Sequence, residues 1–173
     1  KRYQDQVGQV VCKVCTACVG GKSQSSSCTT TQNRVCTECA AGTSSLSNQA
    51  CSSCPQGQYQ HQGGQAWCIA CAAGRYRTAV EGKTADDATT GCTTCVKGKF
   101  SSALGATAES QCNLCGAGKY SDQVAQIAMG TGTGDGCKIC GAGKYGDEAG
   151  QISNTAACKS CTAGRYQAVA GQA

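Results

Sequence analysis

The sequence predicts a small disulfide-rich repeat array: an elongated rod of short β-ribbon modules and loops, with almost no helix. Two observations carry this. There are 18 cysteines among 173 residues, above the level that marks a disulfide scaffold. The aromatics also recur in one slot, Cys-x-x-Gly-x-aromatic, at Cys54–Gly57–Tyr59, Cys71–Gly74–Tyr76, Cys95–Gly98–Phe100, Cys115–Gly118–Tyr120, Cys140–Gly143–Tyr145 and Cys161–Gly164–Tyr166. One aromatic per cysteine step is the mark of a repeat architecture. Cys39–Gly42 keeps the glycine but has Ser44 in the aromatic place, and Lys1-Arg2-Tyr3 reads as the tail of one more slot.

Composition explains why the chain needs covalent staples. Only 5% of residues are aromatic, 24 are glycine, and Ala, Ser, Thr and Gln fill the spaces. Modules this small bury too little apolar surface to order themselves. Such cysteine density belongs to oxidising surroundings, so an extracellular location, secreted or at the cell surface, is expected. The formal charge of +5 is mild and spread along the chain, which does not argue for a nucleic-acid partner. No run approaches the roughly 18 apolar residues of a membrane span. The two ends read as cut mid-module, which implies a mature piece of a longer chain or a unit completed by neighbours.

Sixteen cysteines form eight Cys-x-x-Cys pairs; Cys18 and Cys28 stand apart. A redox pair would be isolated and near a βαβ pattern. Zinc is the stronger alternative, because the pairs recur at ribbon-like distances. Yet they run on evenly instead of grouping in twos, and the single His61 supplies no recurring nitrogen ligand. A third reading makes each pair the seam between two modules. Its first cysteine closes the preceding loop and its second opens the next. Neighbours two residues apart seldom bond to each other without strain. The seam scheme predicts Cys39–Cys51, Cys54–Cys68, Cys71–Cys92, Cys95–Cys112, Cys115–Cys137 and Cys140–Cys158. Each loop closure contributes about 3 kcal/mol by chain entropy.

The run Cys12, Cys15, Cys18, Cys28, Cys36, Cys39 resembles a module of the tumour necrosis factor receptor ectodomains. That resemblance implies the interlaced pairs Cys15–Cys28 and Cys18–Cys36. Cys54-Pro-Gln-Gly-Gln-Tyr-Gln-His to Cys68 looks like the simpler single-disulfide module of the same family. The remainder, typified by CVKGKFSSALGATAESQCNLCGAGKYS, is similar to the ephrin-receptor-like (GCC2/GCC3) cysteine-rich repeats. Cys12 and Cys161 are left over, and their partners are expected outside this segment or on another unit.

Taken in order, residues 1–12 are the end of an incomplete module and 12–39 a two-disulfide receptor-like module. Residues 39–54 and 54–71 are single-disulfide modules, 71–115 and 115–161 two-module repeats, and 161–173 the start of an incomplete module. The super-repeat rests on loops alternating at 20, 16, 21 and 17 residues from Cys71 onward. The slot glycine implies a tight turn at positive φ or a close backbone approach. The aromatic should fold over its module's disulfide and fill a tiny core, which assigns Tyr59, Tyr76, Phe100, Tyr120, Tyr145 and Tyr166 to packing and not to ligand contact. A helical turn is expected only around Asp122–Ile127. His61 is expected at the surface, and Trp67 beside Cys68.

The residue before the aromatic is mostly basic: Arg75, Lys99, Lys119, Lys144 and Arg165. Stacked modules would align these as a stripe suited to a glycan or acidic polysaccharide; a solvated polar face is the plainer alternative. The long loops carrying EGKTADDATTG and AMGTGTGDG should be exposed arms. Serine and threonine clusters at Ser25–Ser27, Thr29–Thr31 and Thr89–Thr90 are candidate O-glycan sites. No nucleophile–base pair, paired carboxylates or phosphate loop occurs, so no catalytic residue, cofactor or metal is expected. The function this implies is an extracellular structural segment of a rod or filament, whose partners are copies of itself or neighbouring repeats. The alternative is the ligand-binding ectodomain of a cell-surface receptor.

Overall fold

A computed structural model describes residues 1–78, 91–128 and 136–172. The exposed arms assigned from sequence, with Thr89–Thr90, fall largely outside that set. The chain forms two compact units, Lys1–Ile69 with Ala79–Gly91, and Ala70–Thr78 with Cys92–Ala173.

The first unit contains β1 (Arg2–Tyr3), β2 (Lys13–Val14), β3 (Lys22–Ser26), β4 (Val35–Glu38), β5 (Thr43–Ser44), β6 (Ser52–Ser53) and β7 (Gln58–Tyr59); β8 (Ile69–Ala70) follows at its end. The second contains β9 (Arg75–Tyr76), β10 (Thr93–Thr94), β11 (Lys99–Phe100), β12 (Asn113–Leu114), β13 (Lys119–Tyr120), β14 (Lys138–Ile139), β15 (Lys144–Tyr145) and β16 (Lys159–Ser160). Each strand pairs only with its neighbour in sequence, making two-stranded ribbons. The register is the same throughout the second unit. The aromatic lies opposite the first inner residue of the next Cys-x-x-Cys, as in Phe100 with Asn113 and Tyr120 with Lys138. The basic residue lies opposite the second, as in Lys99 with Leu114 and Lys119 with Ile139. The Cys-x-x-Cys seam is therefore itself a strand, bracketed by the two sulfurs. A two-residue ribbon has no independent stability, so the bracketing bonds hold it.

The slot glycine makes the turn that feeds each ribbon. Lys99 N–H donates to Val96 C=O at 3.2 Å and Lys119 N–H to Gly116 C=O at 3.1 Å. Gly98 and Gly118 between them have φ of 78° and 72°, the third-residue conformation of a type II turn that admits glycine without steric cost. The core is sulfur. Cys54, Cys71, Cys115, Cys137 and Cys140 are wholly buried, while Val7, Val10, Leu104 and Trp67 are exposed.

Two features depart from the sequence reading. Asp122–Ile127 is not helical; among the described residues a helical turn lies at Asn154–Ala157, capped by Ser153 Oγ accepting from Ala156 N–H at 3.2 Å, and a 3-10 turn spans Glu109–Gln111. The reason is Ala125, whose φ of 59° lies in the left-handed region and interrupts any helix. Ala125 is one of a series five residues after the aromatic that includes Gly64, Gly105, Gly150 and Gly171, all at positive φ. Each donates its N–H to the opening cysteine of the previous slot: Gly64 to Cys39, Gly105 to Cys71, Ala125 to Cys95, Gly150 to Cys115 and Gly171 to Cys140, at 2.7–2.9 Å. Left-handed geometry costs a residue with a Cβ about 1–2 kcal/mol. Replacing Ala125 by Gly is therefore expected to stabilise the second unit by about 0.5–1 kcal/mol, after the extra chain entropy of glycine is subtracted. Denaturant titration of oxidised protein measures this, and a destabilised A125G would refute it.

Candidate functional site: the step between modules

Eight disulfides are formed: Cys15–Cys28, Cys18–Cys36, Cys39–Cys51, Cys54–Cys68, Cys71–Cys92, Cys95–Cys112, Cys115–Cys137 and Cys140–Cys158. Cys12, exposed, and Cys161, half-buried, are free thiols. Among the described residues no group of three or more His, Cys, Asp or Glu side chains is placed to hold a metal ion.

The aromatics act one module further along than their spacing implies. Phe100, in the slot opened by Cys95, packs with Cys115 and Cys137 of the following module. Tyr120, in the slot opened by Cys115, packs against Cys140, Ala157 and Cys158. Its hydroxyl accepts from Asn154 Nδ2 at 3.4 Å, and Lys138 Nζ stands 6.0 Å from its ring centre. Even Ser44, which replaces an aromatic, puts its Oγ 3.3 Å from Cys68 Sγ of the next disulfide. Phe100 and Tyr120 thus couple neighbouring modules, and the expectation that the aromatic covers its own module's disulfide is corrected at these two residues. Tyr59 is buried against Gly91, where an added Cβ would lie 2.7 Å from its ring.

Backbone bonds repeat the same step. In the second unit Gly74 N–H donates to Ser101 C=O and Gly98 N–H to Ser121 C=O, at 2.7 and 3.0 Å. Ser101 N–H donates to Gln126 C=O and Ser121 N–H to Gln151 C=O, at 2.9 and 3.0 Å. Parallel bridges join Tyr76 to Ala106, Phe100 to Gln126 and Tyr120 to Gln151. The slot glycine also meets the module two steps ahead. A Cβ on Gly74 would lie 2.2 Å from Ala125 O, and one on Gly98 2.2 Å from Gly150 O. Both roles read from sequence for this glycine, the turn and the close approach, operate together.

The basic residues occupy one register position. Arg75 pairs with Thr94, Lys99 with Leu114, Lys119 with Ile139 and Lys144 with Ser160; Arg165 lies outside any ribbon. Their charge is partly engaged. Lys99 Nζ is 3.0 Å from Glu109, Lys144 Nζ donates to Asn154 Oδ1 at 3.5 Å, and the Arg75 guanidinium donates to Cys92 C=O at 3.3 Å. Elsewhere Lys138 holds Asp122, and Lys159 holds Asp147, each below the usual carboxylate range through a direct hydrogen bond. His61 is half-buried and stacks on Tyr59 with ring centres 6.1 Å apart. Trp67, expected beside Cys68, is 70% exposed. With Leu46, Pro55 and Ala66 it borders a shallow cleft of about 240 Å³.

Comparison with known families agrees with this geometry. Residues 1–36 match the model of the TNFR/NGFR cysteine-rich region. Residues 42–87 match that of the tyrosine-protein kinase ephrin type A/B receptor-like family. The second match takes in Cys54–Cys68, which by sequence looked like a tumour necrosis factor receptor module. No curated protein matches the chain. Modules of both kinds are typical of extracellular domains, and eight disulfides need an oxidising compartment. Among the described residues no helix is long and apolar enough to cross a membrane.

Proposed function

We propose that the chain is a structural segment of an extracellular rod or filament, in which modules transmit order to one another. The observation that carries this reading is the use of the aromatics. Phe100 and Tyr120 are spent on the disulfide of the next module and are not presented to a ligand. Repeat arrays whose modules contact only near neighbours are stabilised by such interface contributions. The reading assigns the chain no catalysis, and its partners are other copies or neighbouring repeats. Oxidised protein examined by electron microscopy and light scattering is expected to form long thin assemblies that shorten under reductant. A monodisperse monomer at high concentration would overturn the filament.

A second reading, a receptor ectodomain, has one observation of its own. Trp67 and Leu46 are exposed side by side around the cleft with Pro55, and exposed tryptophan is a common hot spot. A protein ligand whose binding is lost in W67A while the disulfides stay intact would favour this reading.

A further inference from the structure

Protection of the sulfurs is uneven along the chain. The four disulfides of the second unit, Cys71–Cys92, Cys95–Cys112, Cys115–Cys137 and Cys140–Cys158, have both cysteines buried. Each of the four in the first unit leaves one cysteine half-buried: Cys15, Cys36, Cys51 and Cys68. The rings account for part of the difference. Phe100 sits on Cys115–Cys137 and Tyr120 on Cys140–Cys158. By the same step the residue that should cover Cys54–Cys68 is Ser44, which brings only a hydroxyl, 3.3 Å from Cys68 Sγ.

Two further features single out this bond. Cys68 stands on the wall of the cleft of about 240 Å³ that Ser44, Leu46, Ala66 and Trp67 also border, whereas Cys51 does not border it. Cys54, at the other end of the bond, is wholly buried, so an attacking group reaches one sulfur only. The bond is also the single covalent closure of residues 54–68. Cys15–Cys28 and Cys18–Cys36, by contrast, interlace, so each still holds the loop when the other opens.

We propose that Cys54–Cys68 is a thiol–disulfide exchange site, opened by a small thiol of the glutathione kind that enters this cleft and attacks Cys68 Sγ. Exchange rates are set by access and by which sulfur is attacked. The incoming thiolate bonds to Cys68 Sγ, and Cys54 leaves as a thiolate that takes up a proton. A second molecule of the thiol attacks the small-molecule sulfur of the mixed disulfide and expels the Cys68 thiolate. Two small thiols are oxidised to one disulfide, and Cys54–Cys68 is reduced to two thiols. The step requires neither a filament nor a protein ligand, so it stands apart from both readings of function above.

Opening the bond frees one joint of the array. The module is tied to the preceding one by Gly42 N–H donating to Gln60 C=O at 2.6 Å, Gly64 N–H to Cys39 C=O at 2.8 Å and Ser45 N–H to Gln65 C=O at 3.3 Å. Its own ribbon, Gln58–Tyr59 with Ile69–Ala70, is two residues long and is not stable alone. Reduction therefore loosens this module and its step to the preceding neighbour, while the buried disulfides of the second unit stay closed.

The test uses the whole oxidised chain, with the free thiols Cys12 and Cys161 alkylated beforehand so that they cannot shuffle bonds. Reduced glutathione is added, samples are quenched in acid, and new thiols are alkylated with a second reagent and located by mass spectrometry. Cys54 and Cys68 should be labelled several-fold faster than any cysteine of the second unit, with the transient glutathione adduct on Cys68. Ser44→Tyr supplies the ring that this slot lacks and should slow the labelling several-fold, whereas Ser44→Ala should leave it fast. Cys54–Cys68 opening no sooner than Cys115–Cys137, an adduct on Cys54, or another bond of the first unit opening first would each overturn the proposal. The wild-type order and adduct decide the matter even where S44Y does not fold. A folded S44Y labelled as fast as wild type would overturn it as well, because the missing ring is what exposes the bond.

Discussion

Replacing Gly74 by Ala is expected to cost about 3 kcal/mol or more, whereas the same change at Gly164 should cost about 1 kcal/mol. The two glycines share a slot and nearly a conformation, at φ 75° and 82°. A Cβ at either must tolerate left-handed backbone. They differ in what surrounds them. At Gly74 the new carbon would lie 2.2 Å from Ala125 O and 2.6 Å from Ala125 C. Backbone atoms cannot rotate aside, so the segment carrying Ala125 must move, and with it the hydrogen bond from Ala125 N–H to Cys95 C=O. Gly164 has nothing within 4 Å. Amide hydrogen exchange reads the difference locally: in G74A the amides of Cys95 and Ala125 should lose protection, and in G164A they should not. Equal losses in the two variants would mean that φ alone matters and that the close approach two modules ahead carries no energy.

Much of this architecture was legible because cysteine and glycine are used with one meaning each. The slot glycine recurs at a fixed offset, so its turn could be read directly, and even spacing of Cys-x-x-Cys pairs pointed to ribbons at the seams. The second left-handed position was hidden. It is filled by Gly64, Gly105 and Gly150 but also by Ala125, so no single residue type marks it. The reach of the aromatic was hidden for a different reason. Spacing says that Phe100 follows Cys95; it cannot say that the ribbon turn swings the ring onto Cys115–Cys137.

Truncating Phe100 to Ala should damage the module after its own. Phe100 is 7% exposed and packs on Cys115 and Cys137, both fully buried. Removing a buried phenylalanine side chain typically costs about 3–5 kcal/mol. A lower value near 3 kcal/mol is expected here, because the ring lies over a small cluster and the site can partly collapse. The disulfide will still close the loop, so the variant should fold, with the loss appearing as local opening. The amide of Cys137, which donates to Ala128 C=O at 3.1 Å, and that of Cys140, which donates to Gly118 C=O at 2.9 Å, should exchange faster. The amide of Cys112, held by Glu109 C=O at 2.9 Å within Phe100's own module, should keep most of its protection. Under mild reductant the Cys115–Cys137 bond should open before Cys95–Cys112, because the ring no longer excludes the attacking thiolate. The reverse order, with Cys112 losing protection first, would return Phe100 to its own module. It would also remove the coupling on which the proposed array depends: a ring that stabilises only its own loop lets each module open independently, whereas a ring seated on the next disulfide makes opening one module expose the sulfurs of another.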